Sequence, residues 1–470
     1  MTAIDPALMD AAGLVQAYAR RTLTPNEALQ ATTERVARHN PRINAFAVLN
    51  PGAVRQAIES TRRWAAGRPL GPLDGVPVTI KDLIDVAGLP TRRGSRTTSP
   101  APATEDAPAV LGLLAQGAVL FGKTTTTEFG WKSPGDCPLH GITRNPWDTE
   151  TSPGGSSSGA AAACAAGFGP LHLGTDAGGS IRIPAAWCGV VGLKPTFGRV
   201  PQWPLGAFGH VAAAGPITRT VRDAALMLGA LARHDPRDPY SLPDAPRDWT
   251  AGLDHGVAGL RVCVLRRPGF DAPVDPAGVA AVEEAAQILA DAGATIHDDD
   301  PALPDMGVAF SRLWQAALAT LAAGMTDDQR AMLDPGLLTT AAGSLDRGTL
   351  DRGAIDGAAL MAAEADRVQA AHQMALHHLR YDLILCPTVP RGPPRVDATL
   401  ADAPALLLSD WAPWTFAFNM TRQPAITVPF GMAAGAPRSV QLAAALYRDD
   451  VVLRAAHVLE RATPAARPPL

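Results

Sequence analysis

Short apolar runs alternate along the chain with segments of helical periodicity. Strand-like runs occur at 76–80, 118–121, 171–173, 260–265, 381–386, 425–430 and 440–445. Runs of this length, rich in aliphatic residues and bounded by Gly, Pro or Asp, are typical of β-strands. The pattern therefore predicts strands distributed over most of the chain.

Helical signals lie between these runs. Thr24-Pro-Asn-Glu27 has the form of a capping box, in which the Thr24 side chain caps a helix and Glu27 lies at its third position. Residues 157–166 predict a helix of small residues, and 279–292 and 450–461 predict two further helices. Strands that alternate with helices indicate a layered α/β architecture.

Composition narrows the class of protein. Of the 470 residues, 47% are hydrophobic and 18% charged, as in globular proteins, and the net charge of −4 argues against nucleic acid as a partner. We see neither a secretory signal nor an apolar run long enough to span a bilayer, so we expect a cytoplasmic monomer or homodimer without a membrane partner. The five cysteines are scattered without paired CxxC spacing, which predicts neither a disulfide framework nor a zinc site.

Lysine is rare in this chain. Of the 41 basic residues only four are lysines, namely Lys81, Lys123, Lys132 and Lys194. Lys81 directly follows the apolar run VPVTI. A lysine at the end of a buried strand loses hydration, which lowers the pKa of its amine and makes it a candidate general base. A surface lysine that caps a strand is the alternative interpretation of this spacing.

Two glycine–serine motifs add to the case for Lys81. They are GGSSSG at 154–159 and TDAGGSIR at 175–182. Glycines before Ser180 allow a tight turn in which several backbone N–H groups point at one place, as an oxyanion hole requires. Flexible loops have similar sequences, so each motif alone is weak evidence. Both motifs together with a candidate base favour serine chemistry.

These residues resemble the amidase signature family. The resemblance lies in 153–200 (PGGSSSGAAAAC through KPTFGRV), 75–95, 145–155, 380–390 and 418–431, and so covers nearly the whole chain. It implies one large α/β domain, 1–470, with a central mixed β-sheet wrapped by helices. Within it we place a catalytic core at 75–220 and a variable substrate-side region at 236–375.

The resemblance also implies roles for individual residues. Lys81 matches the family's base, Ser156 its bridging serine after a cis Gly155–Ser156 peptide, and Ser180 its nucleophile. The implied oxyanion hole consists of the N–H groups of Ala177, Gly178, Gly179 and Ser180. The residues expected to support the site are Ser157, Thr175, Asp176 and Arg182. Neither a metal nor another cofactor is implied.

The expected substrate is a small molecule. Aromatic residues make up only 5% of the chain, and several lie near the motifs. We predict a substrate pocket lined by Phe129, Trp131, Trp187, Trp203 and Trp414, with core packing as the alternative for each. Such a pocket favours apolar or aryl amides and anilides, and the resemblance also implies activity on carbamates (urethanes) or esters.

Three other interpretations of the sequence compete with this one. Residues 117–124 fit the phosphate-loop pattern GxxxxGK[ST], but their AVLF interior predicts a strand and a structural Lys123. Residues 155–159 fit GxSxG, but a turn precedes them rather than the strand that this motif needs. The glutamine-hydrolysing subunit of a tRNA-dependent amidotransferase stays open, although its usual tyrosine-rich helix is absent from 357–364. Lys132→Ala is expected to change turnover little.

Overall fold

A mixed sheet is the central element of the computed structural model, which describes residues 5–243, 247–272, 274–299, 303–342, 357–397 and 412–470. The strands are β1 Phe46–Leu49, β2 Pro77–Lys81, β3 Val119–Thr124, β4 Asp136–Cys137, β5 Gly141–Ile142, β6 Leu171–Asp176, β7 Val191–Lys194, β8 Ala213–Thr218, β9 Arg261–Val264, β10 Thr295–His297, β11 Leu383–Pro387, β12 Ala425–Ala433 and β13 Ala436–Ala444. Each run predicted from the apolar pattern overlaps one of these strands.

Eleven of the strands form one sheet in the order β1-β3-β2-β6-β8-β7-β12-β13-β11-β9-β10, and β4 pairs with β5. Strand β2 runs parallel to β3 and β6, and β9 runs parallel to β10 and β11. The other pairs in the sheet are antiparallel. The predicted single α/β domain with a mixed sheet is confirmed.

Helices surround this sheet. They are α1 Ala11–Ala19, α2 Pro25–Ile43, α3 Ala53–Ala65, α4 Pro108–Ala115, α5 Ser158–Ala165, α6 Arg182–Cys188, α7 Val221–Leu231, α8 Pro276–Asp291, α9 Gly307–Ala323, α10 Asp327–Ala331, α11 Pro335–Ala341, α12 Gly357–His377, α13 Phe416–Met420 and α14 Asp449–Ala462. Helix α2 starts with the predicted capping box, in which both the Thr24 and the Glu27 side chains accept backbone N–H groups.

Helix α5 shows why a run of small residues is needed near the site. All its residues are buried. A Cβ on Gly159 would lie 2.3 Å from the Ala45 carbonyl oxygen and 2.5 Å from the Thr125 nitrogen. The helix therefore packs against the backbone of its neighbours, and this close packing positions the serine motif that precedes it.

The stretch 324–357 contains two short helices, although the apolar pattern predicts no element there. It contains α10 and α11, each with an N-cap: Thr326 forms a capping box with Gln329, and Asp334 caps a helix that begins with Pro335. These caps are the local signals that the apolar pattern did not reveal, because both helices are short. Residues 343–356 of this stretch lie outside the described residues.

The predicted substrate-side region, 236–375, contains both strands and helices. It supplies β9 and β10 to the main sheet, and it also contains helices α8 to α11 and most of α12.

Two other findings concern membrane segments and cysteines in the described residues. Among the helices that the structure describes, none has the length and apolarity needed to cross a membrane. The five cysteines are buried, and the described chain contains no disulfide between them.

Candidate active site

Two parallel strands bring Lys81 and the loop after β6 together. Strands β2 and β6 pair in parallel, with Ile80 opposite Leu173. Lys81 is the last residue of β2, and Thr175 and Asp176 are the last two of β6. Because the carboxyl ends of parallel strands meet at one edge of the sheet, the Lys81 side chain and the loop after β6 occupy the same place.

The Lys81 amine lies among hydroxyl and carbonyl oxygens. Its Nζ is 2.7 Å from Ser156 Oγ, 2.9 Å from Ser157 Oγ and 2.9 Å from Thr175 Oγ1, with the Thr175 carbonyl oxygen at 3.4 Å. The side chain is 0% exposed. In the described part of the chain, no carboxylate forms a hydrogen bond or an ion pair with this amine.

This environment favours the neutral form of the amine. Burial lowers the pKa of Lys81 well below its ordinary value of 10.5, and the more distant Asp176 opposes the shift only in part. Desolvation penalises the ammonium form, and uncharged hydroxyls compensate less for this penalty than a carboxylate would. Lys81 is therefore able to accept a proton.

Ser156 is the nearest hydrogen-bond partner of the Lys81 amine. The Ser157 hydroxyl donates to the Thr175 carbonyl oxygen at 3.1 Å, so Ser157 Oγ accepts from Lys81. Ser156 Oγ lies closer to the amine, at 2.7 Å. The lone pair of a neutral amine is able to accept the Ser156 hydroxyl proton at this distance.

Ser156 and Ser180 border the same cavity. The Gly155–Ser156 peptide is cis, as the resemblance implied. The Ser157 N–H donates to the Ser180 carbonyl oxygen at 3.1 Å, which holds the two serine loops side by side. Among the described residues, Lys81 Nζ is the hydrogen-bond partner of Ser156 Oγ, and the two serine hydroxyls are not hydrogen-bonded to each other. Catalytic hydrogen bonds commonly shorten when substrate binds.

The loop from Asp176 to Arg182 is held by one buried ion pair. Arg182 donates to both Asp176 oxygens at 2.9 Å, and both side chains are 0% exposed. Burial alone would raise the pKa of Asp176, but Arg182 outweighs this effect and lowers it to about 2. The carboxylate therefore stays charged and keeps accepting hydrogen bonds from the loop.

One of these hydrogen bonds corrects the predicted oxyanion hole. The Gly179 N–H donates to Asp176 Oδ1 at 2.8 Å and so is not available to a substrate. Within the described residues, the N–H groups of Ala177, Gly178 and Ser180 form no hydrogen bond and remain available. The glycines before Ser180 identified this loop in the sequence. The sequence could not show that the Asp176 carboxylate, in the same loop, would accept the Gly179 N–H.

Arg182 also contacts residues that the sequence did not single out for function. It donates to the Thr415 carbonyl oxygen at 2.9 Å, to Gln441 Oε1 at 2.7 Å and to Asn419 Oδ1 at 2.6 Å. Asn419 in turn donates to the Asp176 carboxylate and carbonyl oxygens. Only tertiary folding brings these distant residues together, so no local motif signalled their contribution.

The cavity at Ser180 has a volume of about 300 Å³. Of the predicted pocket residues, Phe129 and Trp203 line it, together with Leu205, Phe208 and Leu321. Trp131 lines a smaller cavity that also borders Ser180. The cavity lining is mostly apolar.

Trp187 and Trp414 require a correction. Each is 1% exposed. The Trp187 indole N–H donates to the Arg391 carbonyl oxygen, and Trp414 lies in an apolar cluster with Phe418. Both are core residues and do not line the main cavity. Both residues lie near the motifs in the sequence, but the sequence could not show that both rings would be buried in the core.

The cavity also contains an ion pair that the sequence did not indicate. Arg93 and Asp85 both line it, with 3.6 Å between Nη2 and Oδ1. Arg93 has a positive φ of 52°, and its carbonyl oxygen accepts the Phe129 N–H. These two residues are the charged groups of the described cavity lining.

Comparisons with known proteins agree with this geometry. The Amidase family model matches residues 27–453. An acylamidase of Rhodococcus erythropolis is 38% identical over 97% of this chain and 96% of its own length. A glutamyl-tRNA(Gln) amidotransferase component of Chloroflexus aggregans is 35% identical over 95% of both chains.

Solved structures give the same picture. A bacterial aryl acylamidase of the amidase signature family superposes with a TM-score of 0.88, at 29% identity over 97% of this chain and 96% of that chain. The family match, the fold and the buried Lys81–Ser156 contact agree with one another. The chain belongs to the amidase signature family and is an amide-hydrolysing enzyme.

Proposed function

We propose that this enzyme cleaves the C–N bond of neutral amides and anilides through an acyl-enzyme on Ser180. The observation that carries the proposal is the fully buried Lys81, whose Nζ lies 2.7 Å from Ser156 Oγ. Lys81 accepts the Ser156 proton while Ser156 accepts the Ser180 proton. The Ser180 oxygen then attacks the substrate carbonyl carbon.

The remaining steps follow from the same groups. The N–H groups of Ala177, Gly178 and Ser180 stabilise the oxyanion of the tetrahedral intermediate. The proton on Lys81 returns through Ser156 to the leaving nitrogen, and the C–N bond breaks. Water, activated by the same relay, hydrolyses the ester on Ser180. Direct protonation of nitrogen matters because an unprotonated amide nitrogen is a very poor leaving group.

The cavity supports an apolar substrate. Phe129, Trp203 and Phe208 supply aromatic surface next to Ser180, and an acylamidase and an aryl acylamidase are among the similar proteins. Carbamates and esters present the same carbonyl to Ser180, so we extend the proposal to them. The substrate is a small molecule that the chain binds without a nucleic-acid partner.

A second candidate is the glutamine-hydrolysing subunit of a tRNA-dependent amidotransferase. It is favoured by the 35% identity to a component of such an enzyme. Helix α12, Gly357–His377, argues against it because this helix contains no tyrosine. We expect such a subunit to have a tyrosine-rich helix at its glutamine site. The apolar cavity lining also suits an aryl amide better than glutamine.

A substrate panel tests the proposal. The purified chain is assayed on chromogenic anilides, amides, carbamates and esters, and on glutamine with and without tRNA and partner subunits. We expect hydrolysis of anilides by the chain alone. Turnover of glutamine only, and only with the partners, would support the second candidate instead.

Matched serine variants test the mechanism. Ser180→Ala is expected to abolish turnover, and Ser156→Ala to reduce it about 10²–10⁴-fold, the usual range for loss of acid–base catalysis. Ser158→Ala is the control, because Ser158 is buried in the same motif and its hydroxyl has no hydrogen-bond partner among the described residues. Retained activity in Ser180→Ala would rule out the proposed nucleophile.

A further inference from the structure

The peptide unit between Gly178 and Gly179 is held at both ends. Its N–H, from Gly179, donates to Asp176 Oδ1 at 2.8 Å. Its carbonyl, from Gly178, accepts the Thr415 hydroxyl at 2.6 Å. This peptide lies between the two peptides that carry the Gly178 and Ser180 N–H groups, both of which are available to an oxyanion.

Thr415 has few alternative roles. It precedes α13, Phe416–Met420, yet its side chain does not cap that helix. A second contact, from the hydroxyl to the Ala412 carbonyl oxygen, is longer at 3.2 Å. A hydroxyl has one proton to donate, and the shorter contact directs it to Gly178. The side chain is 0% exposed, so solvent does not compete for it.

The loop needs such a contact because glycines do not restrain it. Gly178 and Gly179 lack the Cβ that limits backbone rotation in other residues. Gly179 has a φ of 132°, and a Cβ there would lie 2.3 Å from Thr415 Oγ1. Glycine is thus required for the approach of Thr415, and it leaves the peptide free to turn unless both ends are held.

We infer that Thr415 is a positioning residue for the oxyanion hole. Together with Asp176 it fixes the orientation of the 178–179 peptide, and thereby the directions of the Gly178 and Ser180 N–H groups on either side. The Thr415 carbonyl oxygen also accepts from Arg182 Nη1 at 2.9 Å, which ties Thr415 to the ion pair that holds Asp176. This inference rests on the proposed acyl-enzyme function.

The test compares Thr415→Val, which removes the hydroxyl at nearly constant shape, with Thr415→Ser, which keeps it. We expect Thr415→Val to lower kcat on an anilide about tenfold to hundredfold, the usual effect of a small misplacement at a reacting centre. KM is expected to stay within about twofold, because the oxyanion forms only after binding. Thr415→Ser is expected to restore kcat.

A transition-state readout separates positioning from loss of folded protein. An aryl boronic acid forms a tetrahedral anion on a serine, and its affinity for Thr415→Val is expected to fall by the same factor as kcat/KM. Rates are expressed per active site titrated with a covalent serine reagent. Thr427→Val is the control, since that buried hydroxyl makes only a 3.4 Å contact with Thr388 among the described residues.

The outcomes are distinguishable. A Thr415→Val enzyme with wild-type kcat and boronate affinity overturns the inference, as does a Thr415→Ser enzyme that behaves like Thr415→Val. If Ser180→Ala retains activity on the same anilide, the proposed function itself fails, whatever Thr415 does. If Ser180→Ala is inactive while Thr415→Val is unaffected, only the role of Thr415 is lost.

Discussion

Lys81 and Lys132 are both buried, yet their surroundings give them opposite chemistry. Lys81 is 0% exposed and contacts hydroxyl and carbonyl oxygens. Lys132 is 7% exposed and contacts Asp136 and Asp334 at 2.7 and 2.8 Å. Burial lowers the pKa of both amines, but the two carboxylates outweigh it at Lys132 and raise that pKa above 10.5.

The comparison shows what makes a buried lysine a base. Removal from water destabilises the ammonium in both places, so burial alone does not decide its state. A carboxylate within about 4 Å compensates for the lost hydration, whereas hydroxyls do so only weakly. In the proposed mechanism Lys81 acts as the base because its partners are uncharged, whereas the charged partners of Lys132 favour its ammonium form.

The largest expected effect is on catalysis at Lys81. Lys81→Met removes the proton acceptor, and kcat/KM is expected to fall about 10²–10⁴-fold. The free energy of unfolding is expected to fall far less than for a broken ion pair, because no charged group loses its partner and the folded chain no longer keeps a buried amine uncharged. Steady-state kinetics and urea unfolding measure the two quantities. A large loss of stability with retained kcat would contradict the assignment.

Lys132→Met is expected to lower the free energy of unfolding strongly and to affect kcat far less. It leaves Asp136 and Asp334 buried without their cation, and breaking a buried ion pair typically costs about 3–5 kcal/mol. The expectation from sequence concerned turnover alone, and we predict that Lys132 matters for stability instead. The midpoint of urea unfolding is expected to drop sharply, while kcat per folded molecule falls far less than in Lys81→Met.

Neutralising the carboxylates sharpens this second prediction. Asp136→Asn and Asp334→Asn, added to Lys132→Met, are expected to recover about 2 kcal/mol, since a neutral cluster carries no unpaired charge. The same unfolding assay measures the recovery. If the triple variant is no more stable than Lys132→Met, the loss came from packing rather than from charge.

The pH dependence is a smaller but more specific effect. Lys81 acts as a base only when neutral, so activity is present above its lowered pKa and is lost as the pH falls through it. Below that pKa, kcat/KM is expected to fall about tenfold per pH unit. A pH–rate profile with folding checked at each pH tests this. An inflection near 10.5, the ordinary pKa of a lysine amine, would mean that Lys81 is not desolvated during catalysis.

The lowered pKa of Lys81 also affects the stability of the fold. Between the lowered pKa of folded Lys81 and 10.5, the unfolded chain binds more protons than the folded chain. The free energy of unfolding should therefore rise with pH in this window. In Lys81→Met this part of the slope is expected to disappear, which separates it from other titrating groups.

The smallest expected effect is that of a chelator. The proton acceptor proposed here is an amine and the nucleophile a serine hydroxyl, so EDTA is expected to leave anilide hydrolysis unchanged. The assay is the same chromogenic one. Loss of activity on chelation, together with activity retained by Ser180→Ala, would replace the lysine–serine mechanism.

The sequence by itself determined the fold class and indicated the candidate residues of the site. Apolar runs identified the strands, because burial of a strand leaves a local and contiguous signal. The GGSSSG and TDAGGSIR motifs and the strand-ending Lys81 pointed to one another, because each is encoded within a few neighbouring residues. The structure places Lys81 and Ser156 in contact and Ser180 at the same cavity.

Only the tertiary structure decided which groups are available and which are occupied. Asp176 accepts the Gly179 N–H. The Thr415 hydroxyl donates to the Gly178 carbonyl oxygen, 237 residues away in the chain. Trp187 and Trp414 became core residues for the same reason. Hydrogen bonding and burial depend on partners far apart in sequence, so the charge state of a lysine or the freedom of an N–H group is a property of the folded chain.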